Sequence, residues 1–157
     1  MGETGKSDAR QRNQTRFWLS VLRLHSDIFA ELNKRMQDEV GLSLAKFDAM
    51  AQLARTPEGI SMGQLSSALK VSNGNVSGLV TRLIKDGLVI KAMSTEDRRS
   101  FSARLTEIGE QKFLMARDAH NSILADILQQ VPDEELTAAN TALREILEEM
   151  HAGDALG

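Results

Sequence analysis

Between positions 72 and 82 the chain places Ser72, Asn73, Asn75, Ser77, Thr81 and Arg82, all short polar or cationic side chains. Val76, Leu79, Val80 and Leu83 are interleaved with them, at the three- and four-residue steps of an amphipathic helix. A helix over Asn73–Asp86, capped by Ser72, buries the apolar set and turns the polar set outward. Amide and hydroxyl groups hydrogen-bond base edges, and arginine pairs with guanine or phosphate. A second cluster, Asp97, Arg98 and Arg99, lies between two strand-like stretches, Leu88–Met93 and Ser100–Leu105, where Phe101, Ala103 and Leu105 alternate. That is the tip of a hairpin. A basic hairpin beside a polar helix face supplies phosphate neutralisation and base-edge hydrogen bonds, the two requirements of a DNA reader. Lys85 and Lys91 add to the phosphate-neutralising set.

The elements that must position these groups are legible on either side. Ser61-Met62-Gly63-Gln64 fits a capping box, with Ile60 and Leu65 placed for the hydrophobic staple, so a helix should start at Met62 and end near Leu69. Lys70–Ser72 then form the turn into the polar-faced helix, which Gly87 ends. Helix, turn, helix and hairpin, in that order, describe a winged helix-turn-helix. Upstream, Phe17, Val21, Leu24, Ile28, Leu32 and Met36 form one apolar stripe of a helix from about Gln14 to Val40. Trp18, Leu22, His25 and Phe29 form a second stripe. Two stripes are wider than one packing partner needs, which points to a core and a subunit contact together. Gly41 ends that helix, and Ser43 caps another over Leu44 to about Arg55. Thr56-Pro57-Glu58-Gly59 reads as a turn. Thr106 caps a long helix from Glu107 to about Gln130. Pro132 fits the first turn of a last helix, whose Asp133, Glu134 and Glu135 suit the positive end of its dipole. The fold class expected is mainly α with a small β-hairpin wing. Its parts are a disordered arm over 1–13, a helical dimerisation region over 14–42 and 106–157, and a DNA-binding lobe over 43–105, all in one compact chain.

Charge is distributed to match. The net charge is −3, but residues 41–105 carry nine basic and five acidic side chains, net +4. Residues 106–157 carry three basic and eleven acidic, net −8, an end that phosphate would avoid. The chain has no cysteine, which excludes disulfides, thiolate metal sites and peroxide-sensing thiols. His25, His120 and His151 are scattered singly, so no metal is expected. Gly2-Glu3-Thr4-Gly5-Lys6-Ser7 imitates part of a phosphate-binding loop, without its first glycine or a preceding strand. No nucleophile–base pair is visible, and neither an enzymatic activity nor a cofactor is expected. No apolar run spans a bilayer, and the N-terminal residues hold no apolar signal core. The expectation is a cytoplasmic protein.

The chain resembles the MarR family of bacterial transcription regulators over about residues 15–150. Asp97, Arg99, Ser100, Leu105, Thr106 and Gly109 fall where that family's D-x-R-S…L-T-x-x-G pattern falls. Val71 to Leu83 match its V-S-x-x-x-V-S-x-L-V-x-R-L pattern, followed by Gly87-Leu88-Val89. The resemblance implies a two-fold dimer built on the first and the last two helices. It also implies a recognition helix in the major groove, and an Arg99 that Asp97 holds for the minor groove. Gly78 departs from the family, many of whose members carry a larger residue there. Gly74 and Gly78 lie one turn apart, and they mark either close approach to DNA or loose helix packing.

The resemblance further implies a small-molecule effector that releases a repressor from double-stranded DNA, typically an anionic aromatic acid. The SNGNVSGL stretch is similar to the branch that answers to aromatic acids and their coenzyme A thioesters. Arg16, Trp18, His25, Phe47, Met50 and Phe113 are the candidates to line such a pocket. The alternative is a ligand-independent activator or structural DNA binder.

Overall fold

Residues 3–70, 73–93 and 101–154 are described in a computed structural model, with the backbone alone for Glu3, Thr4, Asn73 and Asp154. The elements are α1 (Glu3–Val40), α2 (Leu44–Ala54), β1 (Ile60–Ser61), α3 (Met62–Leu69), α4 (Asn73–Lys85), β2 (Val89–Met93), β3 (Phe101–Leu105), α5 (Glu107–Leu128) and α6 (Asp133–Asp154). They fall into two units, Met1–Leu124 and Ala125–Gly157, where one compact chain is expected from the sequence.

In the first unit α1 begins at Glu3, so residues 3–13 are helical where a disordered arm is expected. Past Gly5 this stretch has no glycine or proline, and Lys6, Ala9, Arg10, Gln11 and Arg12 are good helix formers. Such residues propagate a helix that the apolar turns downstream have already nucleated. Only the C-terminal part of α1 is covered: Leu32 and Met36 are buried, while Phe17, Trp18, Leu22, Leu24 and Phe29 are exposed. Gly41 ends the helix with φ at 66°, a left-handed conformation natural to glycine. The start of α2 is capped twice. The Lys46 amide donates to Ser43 Oγ (3.3 Å) and the Leu44 amide donates to Asn33 Oδ1 (2.9 Å), which ties α2 to α1.

The turn at 56–59 closes through the Gly59 amide donating to the Thr56 carbonyl (2.8 Å). At Ser61 the capping box is complete: the Gln64 amide donates to Ser61 Oγ (3.1 Å), and the Ser61 amide donates to Gln64 Oε1 (3.2 Å). Ile60 and Leu65 are both buried. The extended backbone at this cap also serves as a strand. Ile60 and Ser61 pair antiparallel with Ala103 and Ser102, giving a three-stranded sheet of order β1-β3-β2. The sequence predicts the β2–β3 hairpin alone, since two residues are too few to show alternation.

The core of this unit gathers Met36, Leu42, Met50, Leu53, Leu65, Val76, Val80, Leu83 and Val89, all fully buried, with Ala116 and Ile123 from α5. In the second unit no described residue is buried. There α6 starts after Pro132, whose carbonyl accepts the Leu136 amide (3.1 Å). Leu143, Ile146, Leu147 and Met150 form an exposed apolar stripe along it. No helix among the described residues is long and apolar enough to cross a membrane.

Candidate nucleic-acid interface

Helix α4 divides as its residue types require. Val76, Leu79, Val80 and Leu83 are buried, whereas Asn75, Ser77, Thr81, Arg82 and Lys85 are exposed. The exposed set forms one polar surface of the helix. Thr81 modifies its chemistry, because its hydroxyl donates to the Ser77 carbonyl (2.8 Å). The side chain therefore presents acceptor lone pairs and a methyl group outward, where a rotatable donor would be expected. Arg82 and Lys85 place positive charge in the last turn, where the helix dipole favours it. Lys46 Nζ reaches Asp86 Oδ2 (2.8 Å), fastening α2 to the end of α4. Ser72, the side chain of Asn73, and the wing tip with Asp97, Arg98 and Arg99 lie outside the described residues.

Gly74 and Gly78 have no internal reason to be glycine. A Cβ at Gly74 would meet nothing within 4 Å, and one at Gly78 would meet only Arg82 Nη1 at 3.9 Å. Packing against a neighbouring helix is therefore not what selects them.

The junction between α4 and α5 is the most tightly built part of the site. After α4 the chain turns at Gly87 (φ 75°), and the Leu88 amide donates back to the Leu83 carbonyl (3.0 Å). From the other side, the Thr106 amide donates to the Leu88 carbonyl (3.0 Å), and its hydroxyl donates to the Gly87 carbonyl (2.7 Å). The same hydroxyl accepts the Gly109 amide (2.9 Å), capping α5. Gly109 lies against this loop so closely that an added Cβ would sit 2.0 Å from the Leu88 carbonyl oxygen. Thus Leu105-Thr106-x-x-Gly109 is a clamp between α5 and the end of α4.

Of the six candidate ligand residues, Phe47 and Phe113 come together, and Arg16, Trp18 and His25 lie apart on the exposed part of α1. Met50 is fully buried and Phe47 nearly so. Trp18 is exposed on α1, and His25 stacks on Phe29 of the same helix (5.7 Å). Arg16 lines a shallow groove on α1 with Asp8, Gln11, Arg12 and Thr15. Phe113 stacks on Phe47 (5.7 Å), which also stacks on His120 (4.8 Å). Partial burial pushes the nearby Asp48 carboxyl above the usual carboxylate range, and the charge of His120 opposes that rise. Phe113 alone of the six reaches a cleft of about 340 Å³, whose other walls are Leu53, Ala54, Pro57, Leu105, Glu110, Leu114 and Arg117. Arg117 belongs to no local sequence motif and is assembled with Pro57 and Leu105 only by folding.

The MarR family model matches residues 40–100. The crystal structure of a MarR family transcriptional regulator from Silicibacter pomeroyi is 60% identical, with a TM-score of 0.81, and the match covers 90% of this chain and 97% of that one. The chain belongs to the MarR family. Among curated relatives it is 28% identical to the HTH-type transcriptional repressor YetL of Bacillus subtilis, over 69% of this chain and 68% of that protein. It is 24% identical to the transcriptional activatory protein BadR of Rhodopseudomonas palustris, over 92% of this chain and 83% of that protein. The protein is a transcription regulator of a DNA-binding family whose members act as dimers, and these relatives are regulators, not enzymes.

Proposed function

We propose that the protein is a dimeric, ligand-responsive repressor of the cytoplasm that binds a pseudo-palindromic operator. The carrying observation is the exposed polar surface of α4, set on a buried apolar face and followed by a basic wing. Two copies of α4 related by a dyad would enter successive major grooves, with half-sites about 10 bp apart. Ser72, Asn73, Asn75, Ser77, Thr81 and Arg82 read or anchor there, and Arg99, oriented by Asp97, enters the minor groove with Arg98 beside it. The unpartnered apolar faces of α1 and α6 support a second copy as their cover. On this reading residues 43–105 form the DNA-binding lobe, with dimerisation in the helices before and after it.

The open glycines of α4 support close approach of its backbone to DNA. Gly74→Ala and Gly78→Ala are each expected to stabilise the fold by about 0.5–1 kcal/mol, since helix propensity improves and nothing is displaced. Both should nevertheless weaken duplex binding. Urea unfolding beside gel-shift titration checks this, and tighter or unchanged binding by both variants would refute it.

The effector proposed is a small anionic aromatic acid or the acyl end of its coenzyme A thioester. The cleft beside Phe113 supports it: its mostly apolar walls suit an aromatic ring, and Arg117 offers a guanidinium to the carboxylate on a rim it shares with Glu110. Leu105 in its wall adjoins the Thr106 clamp, so an occupant would press on the link between α5 and the wing. Purified complex on an operator selected from a random duplex library should sediment as two 17.3 kDa chains per site, and should release DNA when titrated with benzoate-type acids or their thioesters. A monomer would overturn the dimer. Retention of DNA against every such ligand would favour the second reading, a ligand-independent activator, which the name of the Rhodopseudomonas relative keeps in view.

A further inference from the structure

We propose that Phe101 is a positioning residue for DNA binding, its ring holding the Lys91 ammonium on the wing for a backbone phosphate. The proposal rests on the reading of α4 and the wing as the DNA interface. On the hairpin Lys91 pairs with Ala103, and Met93 pairs with Phe101, so Lys91 and Phe101 are diagonal neighbours on one face. That face starts in the core at Val89, Leu105 and Ala103, and leaves it at Lys91, Met93 and Phe101. Phe101 is 41% exposed and Met93 57%, so the core does not account for an aromatic ring there.

What the ring does contact is a cation. Lys91 Nζ lies 4.5 Å from its centroid, well within cation–π range. A lysine ammonium on a flexible stem loses rotamer freedom when it engages a phosphate, and the ring fixes part of that freedom beforehand. It does so without cancelling charge. Lys46 is paired with a carboxylate, Asp86, whereas no described carboxylate pairs with Lys91. The π face therefore leaves Lys91 its full charge and its N–H donors for an oxyanion, at the base of a wing in the segment of net +4.

The test is fluorescence anisotropy on a labelled random-sequence duplex over a range of salt, where phosphate contacts dominate. Lys91→Ala should weaken binding about threefold to tenfold and lower the salt slope by about 0.9, the loss of one phosphate contact. Phe101→Leu should weaken it to a similar or lesser extent with an unchanged thermal midpoint, and Phe101→Trp should retain affinity. The double variant should bind no worse than Lys91→Ala alone. Unchanged affinity in Phe101→Leu, or additive losses in the double variant, would overturn the proposal. Failure of the unaltered protein to bind duplex at low salt would overturn the DNA-binding reading, and this proposal with it.

Discussion

Gly109→Ala is expected to destabilise the protein by about 3 kcal/mol or more, at the upper end of overpacking costs. The added methyl would lie 2.0 Å from the Leu88 carbonyl oxygen and 2.9 Å from its carbon, and neither side can yield cheaply. Leu88 is held by its amide to Leu83 and by its carbonyl to the Thr106 amide. Thr106 is held in turn to Gly87 and caps α5 at Gly109 itself. Relief requires α5 to lift from the end of α4, which breaks these bonds together and leaves buried carbonyls unpaired. For a chain of this size the thermal midpoint should fall by about 6–12 °C. Gly63→Ala is the control, because a Cβ there meets nothing within 4 Å and the same substitution in α3 should be neutral or stabilising. Equal midpoints for Gly109→Ala and the unaltered protein would show that the junction is slack. Any folded fraction of Gly109→Ala should also bind duplex poorly, since the displaced junction carries both α4 and the wing.

Arg99→Ala is expected to produce the opposite pattern, with the fold intact and DNA binding weakened. An arginine placed in a narrow minor groove meets concentrated negative potential, and a good arginine contact is worth about 1–3 kcal/mol. Operator affinity should therefore fall about tenfold to a hundredfold, with a salt slope lower by about one. The thermal midpoint should move by no more than about 2 °C. Asp97→Ala should cost less, since it removes only the proposed orienting partner and spares the cation. Undiminished gel-shift affinity in Arg99→Ala would remove the minor-groove role. The two variants thus separate the halves of one motif, the clamp at Thr106–Gly109 and the proposed probe at Asp97–Arg99.

Much of the helical framework is legible in the residue order. The capping box at Ser61, the cap at Ser43, the turn at Thr56–Gly59 and the inner face of α4 all appear where the pattern places them. Each is decided by residues within a few positions of one another, so local sequence carries it. The early start of α1 is a different case. Its first turns are polar and lack apolar period, yet their composition favours helix once a helix exists downstream.

The candidate binding residues divide in the same way. The outward polar surface of α4 follows from periodicity, and its basic surroundings from composition. Apart from the Phe47–Phe113 pair the ligand candidates scatter, because an aromatic or methionine on a helix looks alike whether it becomes core, as Met50 does, or stays exposed, as Trp18 does.

The sequence by itself therefore determined the order of elements, their caps, the family pattern and the polarity of α4, all products of short-range spacing. Only the tertiary structure decided that β1 joins the sheet and that a cleft gathers Pro57, Leu105, Phe113 and Arg117. It alone also revealed why Gly109 must be glycine. These depend on contacts between distant residues, such as Thr106 with Gly87 across 19 positions, and chain closeness at that range is set by packing rather than by any local period.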